Sequence, residues 1–116
     1  MFDIGVDIED ISRFKKFSRE NDLVFLSSIF TEKELIYCYS KKNYAKHLAA
    51  RFCAKEAFIK ASGLSSKIKF NEIEIINLET GKPKICLPQK YKSLECKLSL
   101  SHDKDKAIAF VLLEKN

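Results

Sequence analysis

The sequence lacks the features that would assign it to a membrane, a zinc site or a common nucleotide-binding loop. None of its apolar runs approaches the roughly 18 residues that a membrane span needs. Met1–Phe2–Asp3 is not the start of a signal peptide. The four cysteines stand at no short spacing typical of zinc or redox motifs, so we expect free thiols in a reducing cytosol. Glycine-rich phosphate loops, nucleophile elbows and zinc-binding helix motifs are also missing.

The composition predicts one small globular domain over residues 1–116. Hydrophobic residues make up 46% of the chain and charged residues 32%, a balance typical of folded rather than disordered proteins. The chain contains no internal repeat, low-complexity tract or linker. Because a chain of this length buries only a modest core as a monomer, self-association is plausible.

The formal net charge of +5 predicts an acidic partner, such as nucleic acid, a phosphorylated ligand or an acidic protein. The basic residues form two clusters, which are Arg13, Lys15, Lys16 and Arg19, and then Lys41, Lys42 and Lys46. Either a solvated helix face or a docking surface would explain each cluster.

The order of predicted elements indicates an α+β fold, with a short N-terminal strand and helices followed by antiparallel strands. The first strand is predicted with one buried face, from the alternating residues Phe2, Ile4, Val6 and Ile8. The predicted helices cover residues 9–19, 23–29, 31–39 and 43–62, with a capping box at Thr31 and an end at Gly63. The later strands are predicted at 70–78, 84–87, 96–101 and 107–113, with a helical turn within 88–94 and a hairpin loop at 102–105. The longest helix is apolar nearly all round, so we expect it to be central and wrapped by the sheet.

Glu56 stands out because a carboxylate lies where the helical pattern calls for apolar residues. At roughly 100° per residue, a stripe of small and apolar residues surrounds it within about 60°. The members of that stripe are Ala45, Ala49, Phe52, Cys53 and Ile59. A charge that faces a core is unfavourable unless it is paired or bound to a metal. Lys60 lies one turn further on and Lys55 is adjacent, so we expect cationic and carboxylate groups on one surface.

Asp7 is the best candidate partner for Glu56. It closes the first predicted strand, on the face opposite the apolar side chains and just before a helix. Two carboxylates from separate elements suit a hard cation, and magnesium usually takes one or two protein carboxylates together with water and phosphate oxygens. The alternative is that Asp7 caps the next helix and that Glu56 and Lys60 form an ordinary i,i+4 ion pair.

Two further motifs are weak when taken alone. Gly81-Lys82-Pro83 is a turn sequence that joins strands in many proteins. His102, beside Ser101 at a predicted hairpin, could bind phosphate or shuttle a proton, although most histidines in such places are simply exposed.

Four segments, in this order, resemble a known family, the small stand-alone 4′-phosphopantetheinyl transferases of bacteria, which are the holo-acyl-carrier-protein synthases. The segments are Ile4–Ile8 followed by Arg13-Phe14, then Arg51–Ala61, Gly81–Pro83 and Leu98–Asp103. The second segment is the most specific of the four. The resemblance runs from Ile4 to about Glu114, which is nearly the whole chain.

The resemblance implies a 4′-phosphopantetheinyl transferase fold and a defined reaction. Such enzymes move the phosphopantetheine arm of coenzyme A onto a serine of an acidic apo acyl carrier protein and release adenosine 3′,5′-bisphosphate. The resemblance places the metal ligands at Asp7 and Glu56, and the carrier-docking arginine at Arg13, which we expect Lys16 and Arg19 to assist. The residues expected to contact coenzyme A are Arg51, Lys60, Gly81, Lys82, Pro83, Ser101 and His102. Family members are typically homotrimers with sites between subunits.

In the expected reaction the serine attacks the β-phosphorus of coenzyme A, while magnesium and Lys60 neutralise charge on the phosphate oxygens. The sequence leaves the general base open: Glu56 could take the serine proton directly or through a metal-bound water, and geometry must decide. Two other classes are considered. A small basic nucleic-acid-binding module is disfavoured because no aromatic–basic ladder or recognition motif is present. A magnesium-dependent phosphohydrolase or nuclease would use the same carboxylates. We therefore expect neither a nucleic acid nor a membrane as partner.

Overall fold

The computed structural model describes residues 1–115 and builds them from five strands and three α-helices. The strands are β1 (Phe2–Asp10), β2 (Glu74–Asn77), β3 (Pro83–Cys86), β4 (Leu94–Asp103) and β5 (Lys106–Lys115), and the helices are α1 (Leu23–Ile29), α2 (Glu32–Tyr39) and α3 (Tyr44–Ser62). One antiparallel sheet has the order β1-β5-β4, and β2 pairs only with β3 in a separate hairpin. The predicted α+β class is confirmed.

Helix α3 is the central element, as its nearly continuous apolar surface predicts. One side of it packs on the three-stranded sheet and the β2–β3 hairpin, and another side packs under α1 and α2. The helix ends where expected, at Gly63, whose φ of 71° is a left-handed conformation that glycine adopts without strain. Because α3 is enclosed on several sides, any polar group on it must find a partner or open to solvent.

The predicted capping box at the start of α2 is also confirmed. The Thr31 hydroxyl accepts a hydrogen bond from the Glu34 amide at 3.2 Å, and the Glu34 carboxylate accepts one from the Thr31 amide at 2.9 Å. None of the helices within residues 1–115 has both the length and the apolar content that crossing a membrane would require.

Strand β1 presents its apolar side chains to solvent, which contradicts the predicted burial of that face. Phe2, Ile4, Val6 and Ile8 are 62, 63, 56 and 57% exposed. The opposite face contacts α3 at Gly5, where an added Cβ would collide with the carbonyl oxygen of Ala57. The alternating pattern separates the two faces correctly, but close packing at Gly5 selects the polar face for contact with the helix.

The helix predicted over 9–19 does not form. Strand β1 continues to Asp10, and a single 3₁₀ turn follows at Ile11–Phe14. Both end residues of that turn are buried, so one turn is enough to satisfy the apolar spacing that suggested a longer helix.

Two smaller predictions about the second half are also corrected. The strand predicted over 70–78 is shortened to Glu74–Asn77 because a 3₁₀ turn occupies Phe70–Glu72. His102 lies within β4 opposite Ala107 and not in the hairpin loop. The helical turn expected within 88–94 is a 3₁₀ turn at Gln89–Tyr91.

Candidate active site

Strand β1 and helix α3 bring together the three residues expected at the centre of the site. Asp7 is buried against α3 with 8% exposure, and the Lys60 Nζ donates hydrogen bonds to its Oδ1 at 3.1 Å and to the Val6 carbonyl at 3.0 Å. The Lys60 ion pair in the described chain is therefore with Asp7, not with Glu56 one turn earlier. Asp7 lies inside β1 and does not cap the following turn. Both parts of the alternative explanation are thus disfavoured.

The second oxygen of Asp7 is the most informative atom of this site. Asp7 Oδ2 is buried and has no hydrogen-bond partner among residues 1–115. A buried carboxylate oxygen normally accepts a hydrogen bond, and leaving it without a partner is unfavourable by roughly 1–3 kcal/mol. An oxygen of this kind is a place for a cation or for a proton shared with a neighbouring carboxyl group.

The carboxylates around Asp7 are short of positive charge. Burial raises the pKa of Glu56, and the neighbouring Asp7 raises it further, while Lys60 and Arg13 lower it. Burial raises the pKa of Glu9 to about 7, followed by a hydrogen bond that the protonated Glu9 carboxyl can share with Asp7 and by the charge of Asp7. Proton uptake here relieves repulsion between like charges that a bound cation would relieve as well.

Glu9 is a residue of this site that the sequence analysis missed. Its Oε1 accepts a hydrogen bond from Arg13 Nη1 at 2.6 Å, and its side chain is only 13% exposed, against 57% for Arg13. Glu9 is two residues after Asp7, so the alternation of a strand places both on one face. That alternation was the available signal for Glu9. The predicted docking residue Arg13 is therefore anchored beside the acidic cluster.

A magnesium ion fits Asp7 and Glu56 only as a partly protein-coordinated ion. Within residues 1–115, no group of three or more histidine, cysteine, aspartate or glutamate side chains is placed to hold a metal by itself. The unpartnered Asp7 oxygen and the raised pKa of Glu56 nevertheless favour a hard cation with oxygen ligands. Water and substrate phosphate oxygens would complete such a coordination sphere, as is usual for magnesium.

Glu56 lines one cavity, and the expected coenzyme A contacts Ser101 and His102 line a separate one. One, of about 420 Å³, lies beside Glu56 and is lined by Glu56, Ile59, Ser65, Ile68, Lys69 and Phe70. The other, of about 200 Å³, is lined by Lys46, His47, Ala50, Leu100, Ser101 and His102. Ser101 and His102 thus lie together but away from Glu56, and the Gly81–Pro83 turn lines neither cavity.

Two basic residues of α3 differ from their expected placement. Arg51 is only 3% exposed, and its Nη2 donates to Asn77 Oδ1 at 2.6 Å, so it does not project into a cavity. Lys55 is fully buried and pairs with Glu34 at 2.6 Å, so it does not share a surface with Glu56. The partners Asn77 and Glu34 lie 26 and 21 residues away in sequence, and no local pattern identifies them.

The expected carrier-docking residues lie in and after the 3₁₀ turn, not on a regular helix face. Arg19 pairs with Glu32 at 2.8 Å, and the Lys16 ammonium lies 5.4 Å from the centre of the Phe17 ring. Both contacts lie near the surface. Surface interactions of this kind are weak, so Lys16 and Arg19 can leave them to bind acidic groups of a carrier protein.

Comparisons with known proteins agree with one another. The family model described as the 4′-phosphopantetheinyl transferase superfamily matches residues 3–111. A holo-(acyl-carrier-protein) synthase of Geotalea daltonii is 44% identical over 99% of this chain and 99% of the relative. One of Chloroherpeton thalassium is 40% identical over 96% of both.

Solved structures show the same relationship at the level of the fold. A holo-(acyl-carrier-protein) synthase of Bacillus anthracis in complex with CoA (3′,5′-ADP) superimposes with a TM-score of 0.82 at 32% identity, covering 98% of this chain and 96% of that one. The synthase of Helicobacter pylori in complex with coenzyme A gives a TM-score of 0.82 at 30% identity, covering 96% and 99%. Since the family model and these relatives extend over nearly all of the sequence, the chain belongs to the 4′-phosphopantetheinyl transferase superfamily.

Proposed function

We propose that this chain transfers the 4′-phosphopantetheine arm of coenzyme A to a serine of an apo acyl carrier protein and releases adenosine 3′,5′-bisphosphate. The observation that carries the proposal is the buried, unpartnered oxygen of Asp7 beside Glu56 and Lys60, in a chain of this superfamily. Relatives at 44 and 40% identity are holo-(acyl-carrier-protein) synthases, and two related structures hold coenzyme A.

Asp7 and Glu56 are the residues that would hold magnesium. When bound there, the ion supplies positive charge where the pyrophosphate oxygens become more negative. The Lys60 side chain is 53% exposed, so its ammonium can exchange Asp7 for a phosphate oxygen without a large rearrangement. We assign the Glu56 carboxylate to accept the serine proton, directly or through one water.

A homotrimer with sites between subunits is supported by the outward face of the sheet. The exposed apolar stripe consists of Phe2, Ile4, Val6 and Ile8 on β1 and Phe110 on β5. Val6 pairs with Phe110 and Ile8 with Ile108, so the stripe continues from strand to strand on one face. Ser101 is opposite Ile108 in the register, which puts an expected coenzyme A contact next to this stripe. Contiguous exposed apolar surface of this kind typically marks an interface.

Substitution of Val6 tests this assembly. We expect Val6→Glu to convert a trimer to a monomer in light scattering coupled to size exclusion, because it places a charge in the stripe. The matched control is Val24→Glu on α1, where the valine is 90% exposed and lies away from the sheet. A wild-type monomer, or an unchanged trimer in Val6→Glu, would contradict the proposed interface.

The acidic carrier protein is expected to dock against Arg13, Lys16 and Arg19, and we place the reaction in the cytoplasm. The net charge of +5 would steer an acidic partner toward the protein.

Mass spectrometry of the carrier protein tests the reaction directly. The protein is incubated with coenzyme A, magnesium and an apo carrier, with Glu56→Gln as the inactive control. A mass gain equal to phosphopantetheine is expected with the wild type only. Release of free phosphopantetheine without a gain would instead indicate a phosphohydrolase, and no turnover with a competent carrier would contradict the proposal.

A further inference from the structure

Arg51 is enclosed in the protein and lines neither of the two cavities described above. The guanidinium lies 4.2 Å from the centre of the Tyr37 ring, and its Nη2 donates to Asn77 Oδ1 at 2.6 Å. Its Nε has no hydrogen-bond partner among the described residues. A buried guanidinium requires fixed acceptors, so the bond to Asn77 is an important constraint on both side chains.

Asn77 connects Arg51 to the turn after β2 by a second hydrogen bond. While its Oδ1 accepts from Arg51, its Nδ2 donates to the Gly81 carbonyl at 3.1 Å. The turn is closed further by backbone bonds from Gly81 to Leu78 at 2.7 Å and from Leu78 to Lys82 at 2.8 Å. Gly81 has a φ of 89°, a conformation that glycine adopts freely. A side-chain contact that fixes the Gly81 carbonyl therefore helps to orient a turn with a flexible residue at its centre.

We infer that Arg51 is a positioning residue for coenzyme A, which acts through Asn77 on the Gly81–Pro83 turn and does not itself touch the ligand. The inference rests on the proposed function and on the expectation, from the family resemblance, that this turn contacts coenzyme A. It replaces the expectation that Arg51 binds coenzyme A directly. Two observations support the inference. The Arg51 guanidinium is buried, and the Asn77 amide both accepts a hydrogen bond from Arg51 and donates one to Gly81.

A double-mutant cycle tests the inference, with the KM for coenzyme A and the dissociation constant from calorimetry as readouts. We expect Arg51→Met and Asn77→Leu each to raise both constants roughly tenfold, as expected for loss of one hydrogen bond to a charged group. The kcat and the KM for the carrier should stay within about twofold, a split that general destabilisation would not produce. The double variant should be no worse than either single variant, because both act through one chain of contacts.

Asn77→Asp separates the two links even where Arg51→Met fails to fold. Asp keeps an acceptor for Arg51 but loses the donor to Gly81, so the constants for coenzyme A should still rise. The matched control is Asn71→Ala, which removes an amide bond of the same length, 3.1 Å, to the Ser27 carbonyl outside this turn, and it should leave them unchanged. Unchanged constants in both Asn77 variants, or additive losses in the double variant, would overturn the inference and indicate direct binding by Arg51. Failure of wild-type transfer would instead contradict the proposed function.

Discussion

Helix α3 carries two lysine–carboxylate sites that differ in how completely their polar atoms are satisfied. Lys55 has no exposed surface, and its ammonium donates to Glu34 at 2.6 Å, to the Ile29 carbonyl at 2.7 Å and to the Phe70 carbonyl at 3.0 Å. Glu34 also accepts from the Ile75 amide at 2.9 Å. The other site has a half-exposed Lys60 and a buried Asp7 oxygen without a partner.

The contrast assigns the Lys55 site to stability and supports the proposed functional role of the Lys60 site. A sealed pair with every donor and acceptor used joins α1, α2, α3 and β2 but offers nothing to a ligand. Burial lowers the pKa of Lys55 while Glu34 opposes the change, which is a property of the pair and not of catalysis. The acidic cluster of Asp7, Glu9 and Glu56 is open on one side and can still bind a cation. Carboxylates with perturbed pKa values in such places are commonly functional. Presence of a lysine beside a carboxylate is therefore less informative than what remains unpaired.

Removing the ammonium of the sealed site should give the largest effect on stability. We expect Lys55→Met to lower the free energy of unfolding by about 3–5 kcal/mol, because it leaves Glu34 charged and buried without its partner. Urea denaturation measures this loss. The matched control on the same helix is Lys60→Met, which should lose only about 1 kcal/mol since the Lys60 end of its ion pair is half-exposed to water. Equal losses would mean that the two sites do not differ energetically.

Removing a carboxylate from the Asp7 and Glu56 site should have the opposite effect, a large loss of activity without a loss of stability. Glu56→Gln should lower kcat by at least about a hundredfold through loss of the cation and base functions. The free energy of unfolding without metal should be unchanged or higher, because repulsion with Asp7 is relieved. Single-turnover transfer and manganese binding by electron paramagnetic resonance provide the two readouts, with the exposed Glu20→Gln as control. Near-normal rates in magnesium would refute the role of Glu56.

The functional site was more predictable from sequence than the structural one. Glu56 is conspicuous on a helical wheel, and Asp7 stands on the polar face of an alternating strand. Local periodicity made both residues candidates, and the family resemblance supplied their expected metal role. Lys55 was placed beside Glu56 because the two are adjacent in the chain, but a rotation of roughly 100° per residue turns it to another side of the helix. The capping box accounts for Glu34 in the sequence pattern, so nothing in the sequence indicates that Glu34 also pairs with Lys55.

Errors in the fold have a similar physical origin. The alternation in β1 reports two faces but not which one meets the helix, and contact at Gly5 decided that question. The apolar face stays exposed in the single chain, and in the proposed assembly it would form an interface and not a core. Ile11 and Phe14 are likewise buried by one 3₁₀ turn, which local spacing alone cannot distinguish from a longer helix.

Charge reversal at Arg13 sharpens the comparison by testing whether the open site also recognises the carrier. Arg13→Glu should raise the KM for the carrier about tenfold and leave the KM for coenzyme A nearly unchanged, because a rim charge acts mainly on an acidic partner. Glu9→Gln breaks the same 2.6 Å ion pair but keeps the arginine, so it should have a much smaller effect on the carrier. Equal increases in both KM values, or equal effects of the two variants, would contradict the docking role.

His47 on α3 is intermediate between the two lysine sites, because it is a partly buried base without a neighbouring carboxylate. Its effect on stability should be the smallest of those predicted. Burial lowers its pKa from the ordinary 6.5, and Arg51, Lys46, Lys41 and His102 lower it further. As pH falls through 6.5 the unfolded chain takes up this proton before the folded chain does, so the free energy of unfolding decreases.

Urea denaturation of wild type and His47→Gln at about pH 7.5 and about pH 5 isolates this contribution from those of other titrating groups. The wild type should lose more stability on acidification than the variant, whereas their difference at the higher pH should be small. Coenzyme A should reduce the excess loss if its phosphates reach the cavity that His47 shares with Ser101 and His102, because anionic charge there would favour the imidazolium. An identical loss in wild type and variant would show that partial burial without a carboxylate partner has no energetic consequence at this position. In that case the difference in stability between the Lys55 and Lys60 sites would be due to the complete burial of Lys55 and not to the number of unpaired polar atoms.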